Sequence, residues 1–166
     1  MLKKLFFTGS LVLSFAFGGS AVQAKEIVVQ EDRNLSHSAV TVGLLNGAGL
    51  LGAEFEYLVN DRIGLQAGTS FTGYDVALNY HLKPGARSSS LSFGYMHSTF
   101  AKPEYEQKTL QLSYLHRNPG GIFTATIGLG YSLGRGAELE RIMTEAFNTA
   151  PPEVYLVYSI GAYFPQ

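Results

Sequence analysis

Phe123-Thr124-Ala125-Thr126-Ile127-Gly128-Leu129-Gly130-Tyr131-Ser132-Leu133 places an apolar or aromatic residue at every odd position and Thr, Gly or Ser at every even one. Such strict period-two alternation is the mark of a β-strand with one apolar and one polar face. The last run of the chain does the same, with Val154, Leu156, Tyr158, Ile160, Ala162 and Phe164 on one face. Working back, the pattern recurs at Leu110/Leu112/Tyr114, Leu91/Phe93/Tyr95, Tyr74/Val76/Leu78/Tyr80/Leu82 and Ile63/Leu65/Ala67. It appears twice more, at Leu51/Ala53/Phe55/Tyr57/Val59 and Val40/Val42/Leu44. These runs predict eight strands, each about as long as the 9–11 residues of a tilted membrane-crossing strand.

Composition narrows the possibilities. Of 166 residues, 46% are hydrophobic and 15% charged, against about 25% charged in an average soluble protein. That apolar content excludes a disordered chain. The absence of cysteine excludes a disulfide scaffold and any Cys-ligated metal or redox centre. Met1-Leu2-Lys3-Lys4 is a basic start, Leu5 to Phe17 is almost wholly apolar, and Ala21-Val22-Gln23-Ala24 offers small residues for signal peptidase. The expected organisation is a cleaved signal peptide over 1–24, a periplasmic N-terminal segment over 25–36 and a barrel over 37–166. With Lys3 and Lys4 removed, acidic residues outnumber basic ones, so nucleic-acid binding has no electrostatic basis.

The connections alternate as well. Asn60-Asp61-Arg62, Lys83-Pro84-Gly85-Ala86-Arg87 and Arg117-Asn118-Pro119-Gly120 are tight and basic. On the other side lie Asn46 to Gly49, Thr72-Gly73, Thr99 to Glu106 and Arg135 to Pro152. An even strand number brings both termini to the side of the tight turns, and outer-membrane barrels keep short turns in the periplasm. The apolar face carries no charge in mid-strand, as hydrocarbon demands. Its aromatics sort by depth into two girdles: Tyr57, Tyr80, Tyr114, Phe123 and Phe164 at the turn end, and Phe71, Tyr74, Tyr95 and Tyr131 at the loop end. A soluble lipocalin-type barrel needs a charged outer face, and the polar face here is mainly Ser, Thr, Gly, Asn and Gln. The expected fold is therefore all-β: an eight-stranded antiparallel transmembrane up-and-down β-barrel with a short helix in the last extracellular loop.

On these features the chain resembles the small eight-stranded outer-membrane proteins, the group of the OmpA barrel, OmpX and the opacity proteins. The resemblance covers about residues 38–164. It rests on the signal peptide, the alternation, the asymmetry of the connections and a last strand ending in Phe164. One departure is that Pro165 and Gln166 follow that aromatic, where the group's final strand usually ends with it at the chain terminus. The resemblance implies outer-membrane lipid and lipopolysaccharide as surroundings, the barrel-assembly machinery as a partner in biogenesis, and periplasmic termini.

Glu54, Glu56 and Asp75 are the carboxylates of the polar face, joined by Gln66, Asn79 and His81 in a lumen cluster. Carboxylates two residues apart on a strand share a face, so an acid/base pair is geometrically possible. The plainer reading is a hydrated or hydrogen-bonded lumen group. No strand position offers an inward Lys or Arg on this reading, and cations would come from Arg33, Arg62 and Arg87 below or Arg135 and Arg141 above. His97-Ser98-Thr99, with Glu104 and Glu106 beyond, invites comparison with the His, Ser and Glu of lipid A deacylases. Those place His and Ser two apart, however, and alternation would split His97 from Ser98. No metal-ligand spacing is present, and neither metal nor cofactor is expected.

Leu139, Ile142, Met143, Ala146 and Phe147 recur at helical spacing, with Glu138, Glu140, Arg141 and Glu145 between them. A helix over 136–147 is expected, its apolar face resting on the barrel rim or in the interfacial layer, either as a partner-docking element or as cover for the mouth. The functional expectation is a structural or interaction protein of the envelope, without turnover and with an unspecified surface partner. The alternatives are a narrow cation-preferring pore and, third, a lipid A-modifying enzyme.

Overall fold

The computed structural model describes residues 35–99 and 102–166. The expected signal peptide, 1–24, and residues 25–34 of the expected N-terminal segment lie outside them. Strands β1 (Ser38–Leu44), β2 (Leu51–Leu58), β3 (Ile63–Ser70), β4 (Gly73–His81), β5 (Ser90–Thr99), β6 (Glu106–Arg117), β7 (Phe123–Arg135) and β8 (Val154–Pro165) follow in chain order. Each pairs antiparallel with the next, and β8 returns to β1, closing an eight-stranded barrel. Val40 opposes Phe164 across the closure, so the terminal aromatic is tied into the ladder. Gln166 donates its N–H to the Ser38 carbonyl, which extends that pairing beyond Phe164.

The strands are less uniform than the sequence pattern suggests. β1 has 7 residues and β2 and β3 have 8 each, whereas β6 has 12 and β7 has 13. β1 stops early because Leu45, Gly47 and Ala48 all turn to positive φ, which reverses the chain at once. β6 and β7 run further at the loop end because their hairpin keeps pairing out to Gln107 and Arg135, past a bulge between Lys108 and Thr109. The bulge absorbs one extra residue on β7 and bends the ribbon.

Alternation fixes the faces. Val42, Phe55, Leu65, Val76, Phe93, Leu112, Leu129 and Leu156, one from each strand, point outward and are 43–63% exposed. Girdle residues Tyr57, Tyr80, Tyr114, Phe123 and Phe164 at the turn end also face outward, as do Tyr74, Tyr95 and Tyr131 at the loop end. Phe71 sits in the β3–β4 turn rather than on a strand and is 94% exposed. The interior is less uniformly polar than expected. Leu58, Met96, Leu115 and Tyr163 also point inward, and Ala39, Leu58, Ala86 and Tyr163 form a small apolar cluster at the turn end.

Between β7 and β8 lies the expected helix, α1 (Ala137–Phe147). Asn148 closes it in the left-handed conformation, and Glu138 and Glu145 both pair with Arg141. Its apolar face is left largely open by the protein. None of its residues is buried, Ile142 and Phe147 stay 43% and 67% exposed, and Leu139 and Met143 are only half-buried. Among the described residues its main protein neighbour is the short 3-10 turn Pro103–Tyr105. No helix among the described residues is long and apolar enough to cross a membrane.

Candidate functional site

The lumen divides into a filled half at the turn end and a hollow half toward the loops. In the filled half Glu56 is the hub. Its Oε2 accepts from the Arg117 guanidinium at 2.5 Å, and its Oε1 accepts from Asn79 Nδ2 at 2.5 Å and from His81 Nε2 at 2.9 Å. Gly64, beside it on β3, leaves the room: a Cβ there would stand 2.4 Å from Glu56 Oε1. Arg117 also donates to the Ala86 carbonyl at 2.6 Å and lies 5.3 Å from the centroid of the Tyr163 ring, a cation–π distance. Tyr163 in turn donates its hydroxyl to the Asn118 carbonyl at 2.6 Å.

The β4–β5 connection folds under these groups. Ala86 is fully buried and donates to the Ser36 carbonyl, while Ser88 Oγ lies 3.2 Å from His81 Nδ1 and donates to the Lys83 carbonyl. Charge is thus compensated inside a closed floor, with Arg117 and Glu56 each about 1% exposed.

Arg117 corrects the sequence reading. It belongs to β6, not to the turn, and it is an inward cation on a strand. The pattern concealed it because Leu115 points inward and His116 outward, inverting the polar-inside rule for two residues just where the strand ends. The bare parity of β6, carried through Ser113 and Leu115 to residue 117, was the signal available. Of the cations proposed from sequence, Arg33 lies outside the described residues, Arg62 and Arg87 are exposed, Arg135 bonds the Pro151 and Pro152 carbonyls, and Arg141 pairs within α1.

A chain of side chains leads from the floor upward. Asn79 Nδ2 also donates to Gln66 Oε1 at 2.9 Å, and Gln66 Nε2 reaches Asp75 Oδ2 at 3.4 Å. The predicted cluster Glu54, Glu56, Gln66, Asp75, Asn79 and His81 is therefore all inward. It separates into a paired part around Glu56 and an upper part containing Glu54 and Asp75. These last two border a cavity of about 280 Å3, together with Ser92, Met96, Gln111, Ser113, Leu115, Thr126 and Val157. The β1–β2 connection forms its mouth, with Leu45, Gly47, Ala48, Gly49 and Leu50 along the edge and the Gly47 N–H donated to Glu54 Oε1 at 3.2 Å.

On the outer face, at the loop end, His97 Nε2 lies 3.3 Å from Glu106 Oε2, and Lys108 Nζ reaches Glu106 Oε1 at 3.2 Å. Tyr74 packs edge-on to the His97 ring at 5.3 Å. Ser98 faces the cavity instead, so His97 and Ser98 lie on opposite faces. Among the described residues no group of three or more His, Cys, Asp or Glu is arranged to hold a metal ion.

The chain matches no protein-family model, no curated protein and no solved structure. An eight-stranded closed barrel occurs in both soluble and membrane proteins, so its shape alone does not select a group.

Proposed function

We propose that this barrel is embedded in the outer membrane of a Gram-negative-type envelope, termini toward the periplasm, and acts there as a non-conducting structural or interaction protein. The observation that carries the reading is the outer face. Soluble monomers rarely expose contiguous apolar patches beyond a few hundred Å2, whereas every strand here contributes half-exposed Val, Leu, Ile or Phe to one continuous belt. Hydrocarbon is the solvent such a belt fits. The polar trio His97, Glu106 and Lys108 faces outward at the loop end, the depth at which lipopolysaccharide headgroups would be met.

The lumen supports the non-conducting part. Narrow eight-stranded barrels are filled by side chains, and the Arg117–Glu56–His81 floor with Ala86 and Tyr163 occupies the turn end. Turnover of lipid A finds no support in the opposed His97 and Ser98. The experiment is fractionation of cells making the full chain, gel migration with and without heating, and planar-bilayer recording. Recovery in the outer-membrane fraction, a heat-dependent shift and no unit conductance are expected. Recovery as a soluble periplasmic protein would overturn the membrane reading, and steady conductance steps would overturn the sealed lumen.

A further inference from the structure

The cavity above the floor has a chemical character of its own. Glu54 and Asp75 lean into it from β2 and β4, across Gly68 of β3, with which both are in register. A Cβ at Gly68 would stand 2.0 Å from Asp75 Oδ1 and 2.7 Å from Glu54 Cγ, so the two side chains converge over the one residue that leaves them space. Unlike Glu56, neither pairs with a cationic side chain among the described residues. Asp75 is only 3% exposed, yet its Oδ1 has no hydrogen-bond partner. Ser113 Oγ, on the cavity wall and equally buried, has none either. A buried carboxylate oxygen without a partner is costly, and each of these two carboxylates accepts only one weak hydrogen bond, Glu54 from Gly47 N–H and Asp75 from Gln66.

We propose that this cavity binds a small primary alkylammonium ion, its ammonium group between Asp75 and Glu54 and its hydrocarbon tail against Met96, Leu115 and Val157. An ammonium supplies three donors and no acceptor, which suits the two carboxylates that converge over Gly68. The apolar wall distinguishes such an ion from a bare metal, since Ca2+ asks for about six to eight oxygens and Met96, Leu115 and Val157 supply none. The volume, about 280 Å3, lies at the low end of the roughly 300–1,000 Å3 of ligand pockets and limits the guest to a short chain. Entry is from the loop end, past Gly47 to Gly49. The Gly47–Glu54 hydrogen bond couples the position of that mouth to the carboxylate that receives the guest.

The test is calorimetric titration of the full-length protein, folded in detergent, with n-butylammonium chloride, n-butanol as the neutral isostere and sodium butyrate as the anion. Saturable one-to-one binding of the amine is expected, at least about tenfold tighter than butanol, with no butyrate binding, because charge-assisted hydrogen bonds carry the selectivity. The double variant E54Q/D75N should lose at least about tenfold in amine affinity, while E104Q, on the exposed turn before β6, should bind as the parent does. Heat-dependent gel migration reports whether each variant is folded. Should the double variant fail to fold, Glu54→Gln alone, which keeps the Asp75–Gln66 contact, should still weaken the amine several-fold. Absence of saturable amine binding at millimolar concentration would overturn the proposal. So would equal binding of amine and butanol, as expected if the carboxylates share a proton instead, or unchanged affinity in a folded E54Q/D75N. The measurement concerns the lumen alone, so its failure is separable from failure of the membrane reading, which fractionation decides.

Discussion

At the turn end of the lumen Glu56 is met by an arginine, a histidine and an asparagine. Two residues back along the same face of β2, Glu54 receives one backbone N–H at 3.2 Å and shares its space with another carboxylate. Both are inward glutamates in the same narrow barrel, and they differ in what the opposite wall presents. Across from Glu56 the wall is the end of β6 and the tucked β4–β5 connection, which bring a guanidinium and a floor. Across from Glu54 the wall is Ser113, Leu115 and Thr126, which bring no charge. A lumen carboxylate thus acquires its role from the far side of the barrel, not from its own strand.

The largest effect should come from breaking the compensated half. Arg117→Met leaves Glu56 buried with part of its partners, and removal of one member of a buried pair costs about 3–5 kcal/mol. Glu56→Gln should cost a comparable amount by stranding Arg117. The double variant should recover part of the loss, since the two residues form one coupled unit. Glu54→Gln removes a buried carboxyl that has no cationic partner among the described residues and should change stability by less than about 1 kcal/mol, toward greater stability. Urea unfolding followed by circular dichroism checks all four. A Glu54→Gln penalty as large as that of Glu56→Gln would mean the upper half is compensated by something else.

The second effect contrasts the two faces of β7. Ile127 points outward and is 56% exposed, whereas its neighbour Thr126 lines the cavity. In lipid, Ile127→Arg should cost about 2–4 kcal/mol near the bilayer midplane. Thr126→Arg should cost clearly less, because its guanidinium would enter the space that Glu54 and Asp75 face, and it should also abolish alkylammonium uptake. Refolding yields in lipid vesicles measure the first contrast. Tolerance of arginine at Ile127 would reverse the assignment of inside and outside.

How much of this was legible follows from where the pattern is redundant. Eight strands, their order and the faces of Phe123–Leu133 repeat one simple rule over many residues, so isolated exceptions do not disturb it. The lumen cluster was legible as a set, because each member sits at an inward parity on an unmistakable strand. Its partition was not, because that depends on Arg117 and Tyr163, which lie on β6 and β8 at strand ends where apolar residues turn inward. The mouth was equally hidden. Asn46 to Gly49 reads as a plain loop, and nothing in its composition announces that Leu45 and Ala48 adopt positive φ (60° and 64°) and fold over the cavity.

That mouth gives the third effect, intermediate in size. Gly47 has φ +62°, and a Cβ there would stand within 2.4 Å of the Thr69 carbonyl. Gly47→Ala should therefore cost about 1–2 kcal/mol through left-handed strain alone, and displace the connection so that Glu54 loses its backbone donor. Faster proteolysis within residues 45–50, with an unchanged floor, is the expected reading. If the connection is cut no faster, it is held by contacts other than those at Gly47, and the upper half is as rigid as the lower.

The smallest effect on the barrel should come from α1, which touches it least. Its eleven residues are marginal as a free helix in water. The elements that hold it are its own ion pairs from Arg141 to Glu138 and Glu145, the hydrogen bond from Gly136 N–H to the Glu106 carbonyl, and contact with the turn at Pro103–Tyr105. Ile142 and Phe147 are 43% and 67% exposed and no strand depends on them, so replacing both by Ser should change barrel unfolding by less than about 0.5 kcal/mol and leave the heat-dependent gel shift intact. An exposed apolar face beside a membrane rim has the interfacial layer available to it. In lipid vesicles the double variant's loop should accordingly be cut faster than the parent's, by limited proteolysis at Arg141. An equal rate would mean that the ion pairs and the backbone tie suffice, without the layer. Loss of the gel shift would mean that the hairpin β7–β8 depends on this helix, and the contrast between a self-sufficient barrel and its outlying loop would fall.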